Sequence, residues 1–360
     1  MRHKIITSVF VLLLMQGTLL AQSGDTAALY NNCLDSLQSL IQEKGTTSFK
    51  KAVFLTENVY MGNQMDYEKF DTHISQLAGI ARVWMRANPL QDYSYRDSIN
   101  FHKNFSIFKL LKDTVFLQGP DGNKYQLLPY TYDFTDFFGR SDWGYMFVSK
   151  LLATRKGNCH SLPYLYKILA DELEATCWLG LAPNHIYIKN RCRKMGWYNT
   201  ELTSGTFPID AWITASGYIP LQAIQNGIYM DTLSNQQAIA LCVLDLAKGY
   251  EFQTRNYEDG FILKCCNLVL QYHPVNAQAM LLKAETLKRV YEKQQKGNTA
   301  DIASTFKEME NLYVKLFELG YREMPEQMYI DWLRSVTDEG KKYNNDQLKP
   351  SIKPKVNSKL

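Results

Sequence analysis

The stretch Arg155-Lys156-Gly157-Asn158-Cys159-His160-Ser161-Leu162-Pro163 leads into Tyr164, Leu165, Ile168, Leu169 and Leu173 at helical spacing. It predicts a helix running to about Leu173. Proline fits only the first turn of a helix, where its missing N–H is not needed, so Pro163 places Cys159 at or just before the cap. The sulfur of a cysteine there lies beside free backbone N–H groups and the positive end of the helix dipole. Both favour thiolate over thiol.

Three strands follow, at 175–181, 185–190 and 196–202, the last two flanking the basic stretch 191–194 as a hairpin. A cysteine-bearing helix packed on an antiparallel sheet is an α+β core. His185, in Pro183-Asn184-His185-Ile186-Tyr187, is placed to act as the base for Cys159. Glu201, in Trp197-Tyr198-Asn199-Thr200-Glu201-Leu202-Thr203, is the candidate to orient the imidazole; Asn199, two residues away on the same strand face, is the alternative. Taken singly, Cys159 reads as a buried thiol, His185 as a satisfied core histidine and Glu201 as a surface carboxylate. Their joint order and flanks point to a site. Trp143, Asn158, His160, Tyr187 and Trp197 are the candidates for a substrate groove, with aromatic packing the plainer role for Trp143, Tyr187 and Trp197.

These motifs resemble the transglutaminase-like branch of the papain-like cysteine enzymes, and within it a bacterial group with a helical leader and a tetratricopeptide-like tail. Gly157-Asn158-Cys159 and the apolar helix after it correspond to that family's nucleophile segment. Pro183-Asn184-His185-Ile186-Tyr187-Ile188 corresponds to its histidine strand. The specific resemblance covers about residues 143–205. Many members read Trp, three residues, Asp, Pro, Thr on the third strand. Here Trp197 leads to Glu201-Leu202-Thr203, so a glutamate, one methylene longer, stands at the aspartate position. The resemblance implies thiolate attack on an amide or ester carbonyl, a thioester intermediate, and release by water or an amine. The backbone N–H of Cys159 and a second, unnamed donor would hold the oxyanion. A peptide or protein substrate and no cofactor are implied. The alternative on the same fold is a non-catalytic peptide- or protein-binding scaffold with helical repeats, its partner held by the C-terminal helices.

Outward from this core, 22–112 reads as a helical N-terminal region and 113–233 as the core. Residues 234–340 read as a helical, loosely tetratricopeptide-like region, and 341–360 as a disordered lysine-rich tail. A hairpin is expected around Gly119-Pro120-Asp121-Gly122-Asn123, and a helix capped by Ser141-Asp142 through about Ala153. Residues 1–21 read as a signal peptide: Arg2 and Lys4, an apolar run, then Leu19-Leu20-Ala21 before Gln22. The expectation is an exported protein, periplasmic or extracellular, touching a membrane only if that segment is uncleaved. The formal charge is +4, and the tail from Lys341 onward alone carries +5, so residues 1–340 sum to about −1. A near-neutral body argues against a nucleic-acid partner. None of the seven cysteines forms a Cys-x-x-Cys pair and there is no His-Glu-x-x-His, so no metal site is expected. A Cys177–Cys192 bridge is an open possibility.

Overall fold

The computed structural model describes residues 4–5, 23–43, 48–91, 93–118, 122–297, 302–339, 344–345 and 348. Four helices precede the core, α1 (Ser23–Gln42), α2 (Phe49–Tyr60), α3 (Tyr67–Ala87) and α4 (Ser98–Lys112). The Ser48 hydroxyl accepts the Lys51 N–H at the start of α2, and the Asp66 carboxylate accepts the Glu68 and Lys69 N–H groups at the start of α3. Leu37, Ile41, Ala52, Ile74, Ala81 and Ile107 bury their side chains in one core.

The expected hairpin forms. β2 (Val115–Gln118) pairs antiparallel with β3 (Lys124–Leu127), Val115 opposite Leu127. β1 (Lys4–Ile5) runs parallel to β3. It contains the only described residues of the predicted signal peptide; the rest of that segment lies outside the described residues. Next, β4 (Thr131–Tyr132) pairs parallel with β5 (Lys156–Gly157), bringing Tyr132 opposite Gly157.

The single helix expected from Ser141-Asp142 is two elements. A 3-10 turn (Trp143–Met146) is capped by the Asp142 carboxylate on the Gly144 N–H, and α5 (Val148–Thr154) starts after Phe147. The break has a tertiary cause. Glu57, buried on α2, accepts the N–H groups of Val148 and Ser149 at 2.6 and 2.9 Å and caps α5 from another helix. Gly157 is required by a close approach: a Cβ there would lie 2.6 Å from Ser161 Oγ and 2.7 Å from Leu151 Cδ1.

Helix α6 (Ser161–Glu172) packs on β6 (Trp178–Ala182) and β7 (His185–Cys192), with α3 and α4 also against it. β6, β7 and β8 (Gly196–Thr200) form an antiparallel sheet in that order. Short helices α7 (Asp210–Ser216) and α8 (Leu221–Gln225) lead to α9 (Asn235–Thr254), which starts on a Ser234/Gln237 capping box. α10 (Phe261–Tyr272), α11 (Ala277–Gly297), α12 (Ile302–Glu318) and α13 (Glu326–Glu339) complete the chain. The fold is mixed α+β: 60% of the described residues are helical, and small, mostly antiparallel sheets are flanked by helices.

A second apolar cluster joins Cys159 and Tyr187 of the core to Met280, Leu316, Tyr329 and Trp332 of the last helices. It seats the C-terminal helices against the end of the sheet where His185 begins β7. The tail is not free throughout. Phe207 N–H donates to Asn344 Oδ1 (2.8 Å), Asn345 N–H donates to the Phe207 carbonyl (2.9 Å), and Leu348 is buried; the other residues after 339 lie outside the described residues. Cys177 and Cys192 are separate, buried thiols, as are the remaining cysteines. Among the described residues no helix is long and apolar enough to cross a membrane.

Candidate active site

Cys159 lies in the turn between β5 and α6. Asn158 builds that turn: its Oδ1 accepts the His160 and Ser161 N–H groups (3.1 and 3.0 Å), capping α6. Its Nδ2 reaches back toward the carbonyls of Phe137 and Tyr145. With both ends of its amide engaged, Asn158 is a scaffold residue and does not line a groove. His185 opens β7 directly after the Pro183-Asn184 turn, where Asn184 takes the left-handed conformation at φ 55°. The same turn points the Asn184 carbonyl at Cys159 Sγ, 3.6 Å away.

His185 Nε2 meets Glu201 Oε2 at 2.6 Å, and both side chains are buried. Thr203 N–H donates to the other Glu201 oxygen at 2.7 Å. Nε2 being taken, Nδ1 is the nitrogen left for the thiol, and it has no partner at hydrogen-bond geometry. The sulfur–imidazole approach is therefore looser than a formed hydrogen bond, as is common for a nucleophile and base without substrate. The electrostatic coupling is strong all the same. Burial pushes the Cys159 thiol up, but the neighbouring His185 outweighs it, with Tyr329 and His160 adding to the effect, and the net shift is downward. Burial pulls His185 down, but the Glu201 carboxylate and Cys159 raise it to about 10. Glu201 is raised by burial and lowered more strongly by His185 and by the Thr203 N–H. The three groups favour a thiolate, an imidazolium and a carboxylate.

Asn199 does not take part. Its Nδ2 donates to the Pro208 carbonyl (3.0 Å) and to Asp210 Oδ1 (2.7 Å), leaving Glu201 as the group on the imidazole. Trp197 is also remote. It stands opposite Arg191, six residues along β7 from His185 and thus about 20 Å away. There it is 47% exposed, against Trp178 and under the Arg191 guanidinium. Tyr187 is fully buried with its hydroxyl on Met230 Sδ, so it packs and does not line the groove.

Trp143 and His160 do line a cavity of about 390 Å³ that also exposes Cys159 and His185. Within it the two groups are only slightly exposed, Cys159 at 5% and His185 at 4%. His160 Nε2 faces Asp245 Oδ1 and its Nδ1 faces the Met146 carbonyl, each at 3.0 Å. Two acceptors call for a ring protonated on both nitrogens. Although burial opposes it, Asp245 raises the His160 pKa, and the resulting cation lies next to the thiol.

Sequence reasoning missed three contributors. Tyr329 on α13 brings its hydroxyl 3.1 Å from Cys159 Sγ. One turn later Trp332 lies edge-on to the His185 ring, centroids 4.6 Å apart. Asp245 on α9 holds His160 and accepts the Tyr164 hydroxyl at 2.9 Å. The spacing of Tyr329 and Trp332 signals one helix face, but nothing in the sequence links that face to Cys159.

No protein-family model and no curated protein matches this sequence. One solved structure is distantly similar: a crystal structure of menin described as revealing the binding site for Mixed Lineage Leukemia (MLL) protein. It has a TM-score of 0.37 and 9% identity over 87% of this chain and 74% of that one.

Proposed function

We propose that this protein is a cysteine-dependent hydrolase or acyl transferase of the transglutaminase-like type, acting on amide or ester carbonyls of a peptide or protein. Cys159 is the nucleophile, His185 the base and Glu201 the group that orients and charges the imidazole. The observation that carries the reading is the 2.6 Å His185–Glu201 contact, which leaves Nδ1 to serve a thiol on the rim of a cavity. The thiolate attacks the carbonyl carbon, a thioester forms as the leaving group takes a proton from His185, and water or an amine then releases the acyl group. An exported location is part of the proposal and rests on the leader sequence alone.

Tyr329 and Trp332, which cover the pair, favour a second reading, in which the same core serves as a binding scaffold. Intact-mass analysis after brief exposure to p-nitrophenyl acetate separates the two. Hydrolase or transferase chemistry gives one acetyl adduct in wild type, none in Cys159→Ala and little in His185→Ala. No adduct in any of the three supports the scaffold.

A further inference from the structure

Tyr132 carries a hydroxyl that the mechanism above does not use. Register fixes its position: β4 runs parallel to β5 with Tyr132 opposite Gly157, two residues before the nucleophile. Its ring packs against the cluster that contains Cys159 and Tyr329. The hydroxyl is buried and has no partner at hydrogen-bond geometry, although Cys159 and Tyr329 are close enough to interact with it. A buried hydroxyl without a partner costs stability, and proteins seldom leave one unless something else needs it. The Tyr132 phenol is pushed well up by burial and by interaction with Cys159, so it stays a proton donor at any physiological pH.

We propose that the Tyr132 hydroxyl is the second donor of the oxyanion site, acting alongside the backbone N–H of Cys159. The inference rests on the thiol-dependent reading above. Two phenols lie beside Cys159, and they differ in what they do before substrate arrives. The Tyr329 hydroxyl is already on the sulfur at 3.1 Å, so it stabilises the resting thiolate. A contact made equally in the ground state does not lower the barrier. The Tyr132 hydroxyl lies within interaction range of Cys159 and Tyr329 but makes no formed hydrogen bond at rest, and it gains a well-placed acceptor only when negative charge appears next to the sulfur. That is the differential binding that accelerates a reaction.

A small activated ester tests this without knowledge of the natural substrate. The Cys159 thiolate adds to the carbonyl carbon of p-nitrophenyl acetate, forming the C–S bond as the π pair moves to oxygen. Return of that pair expels p-nitrophenolate and leaves S-acetyl-Cys159. Alkylation by iodoacetamide displaces iodide at a saturated carbon and generates no oxyanion. Full-length wild type and Tyr132→Phe are compared for the two rate constants and for melting temperature. The expected result is acetylation slowed about 10²–10³-fold, alkylation within about twofold of wild type, and an unchanged or higher melting temperature, because an unpartnered hydroxyl has been removed. Equal acetylation rates in the two proteins would overturn the inference alone. So would parallel falls in acetylation and alkylation, which would put Tyr132 on the thiolate instead. A wild type that is not acetylated at all overturns the underlying reading and this inference together.

Discussion

Glu201 Oε2 lies 2.6 Å from His185 Nε2 with both side chains buried, while Asn199 two residues earlier is held by Pro208 and Asp210. The carboxylate therefore sets the charge of the imidazole, and the amide does not. Glu201→Gln keeps a hydrogen-bonding group of the same size and removes the charge that lifts His185 to about 10. Loss of a neighbouring opposite charge typically lowers a histidine by about 1–3 units. Iodoacetamide labelling of Cys159 at neutral pH should slow by about tenfold or more. Asn199→Ala should label at the wild-type rate. The comparison is made by stopped alkylation and mass analysis.

The Tyr329 hydroxyl stabilises the Cys159 thiolate by a hydrogen bond from a helix at the far end of the chain. A hydrogen bond to a charged group contributes about 1.5–3 kcal/mol. Tyr329→Phe should raise the midpoint of the Cys159 alkylation profile by about one unit or more, at about 1.4 kcal/mol per unit. The midpoint is read from rates across a pH series.

Trp332 covers His185 and is 6% exposed. Trp332→Ala should cost about 3–5 kcal/mol in chemical denaturation, the usual range for a buried aromatic cut to alanine. It should also open the site. A bulky maleimide should react far more slowly than iodoacetamide with wild type, and the ratio should narrow in the variant.

His273, between α10 and α11, is held neutral by burial, its pKa lowered to about 4 from an ordinary 6.5. The sign follows from linkage. The unfolded chain takes up a proton below about 6.5 and the folded chain only below about 4, so this stabilisation is complete above the higher value. It is lost as pH falls toward the lower one. At about 1.4 kcal/mol per unit the loss is about 3 kcal/mol. His273→Asn should lack this share of the acid sensitivity in denaturant midpoints measured between pH 7 and 4.

The nucleophile turn was legible because local rules meet there. Pro163 marks the first turn of α6, whereas Asn158, expected in the groove, instead accepts the His160 and Ser161 N–H groups at the start of that helix. The strand pattern placed His185 on a strand, but β8 ends at Thr200 and Glu201 follows it in an isolated bridge to Thr206; alternation alone puts Asn199 and Glu201 on one face. Pro208 and Asp210, in the segment after the strand, decide between them. Trp197 was misread because strand pattern does not give register; pairing with Arg191 carries it to the other end of the hairpin. Tyr132, Tyr329 and Asp245 come from separate elements and meet Cys159 and His160 only through packing, so no spacing announces them. The Phe147 break was hidden for the same reason, since the cap on α5 comes from Glu57 on another helix.

The pH dependence of Cys159 alkylation by iodoacetamide, measured in wild type and His185→Ala with Cys159→Ala as the blank, tests the ion pair most directly. A paired thiolate predicts rapid labelling of wild type that persists well below the ordinary thiol range. It also predicts an alanine variant that labels slowly, and only where ordinary thiols ionise. Matching profiles in the two proteins, both rising only at alkaline pH, would contradict it.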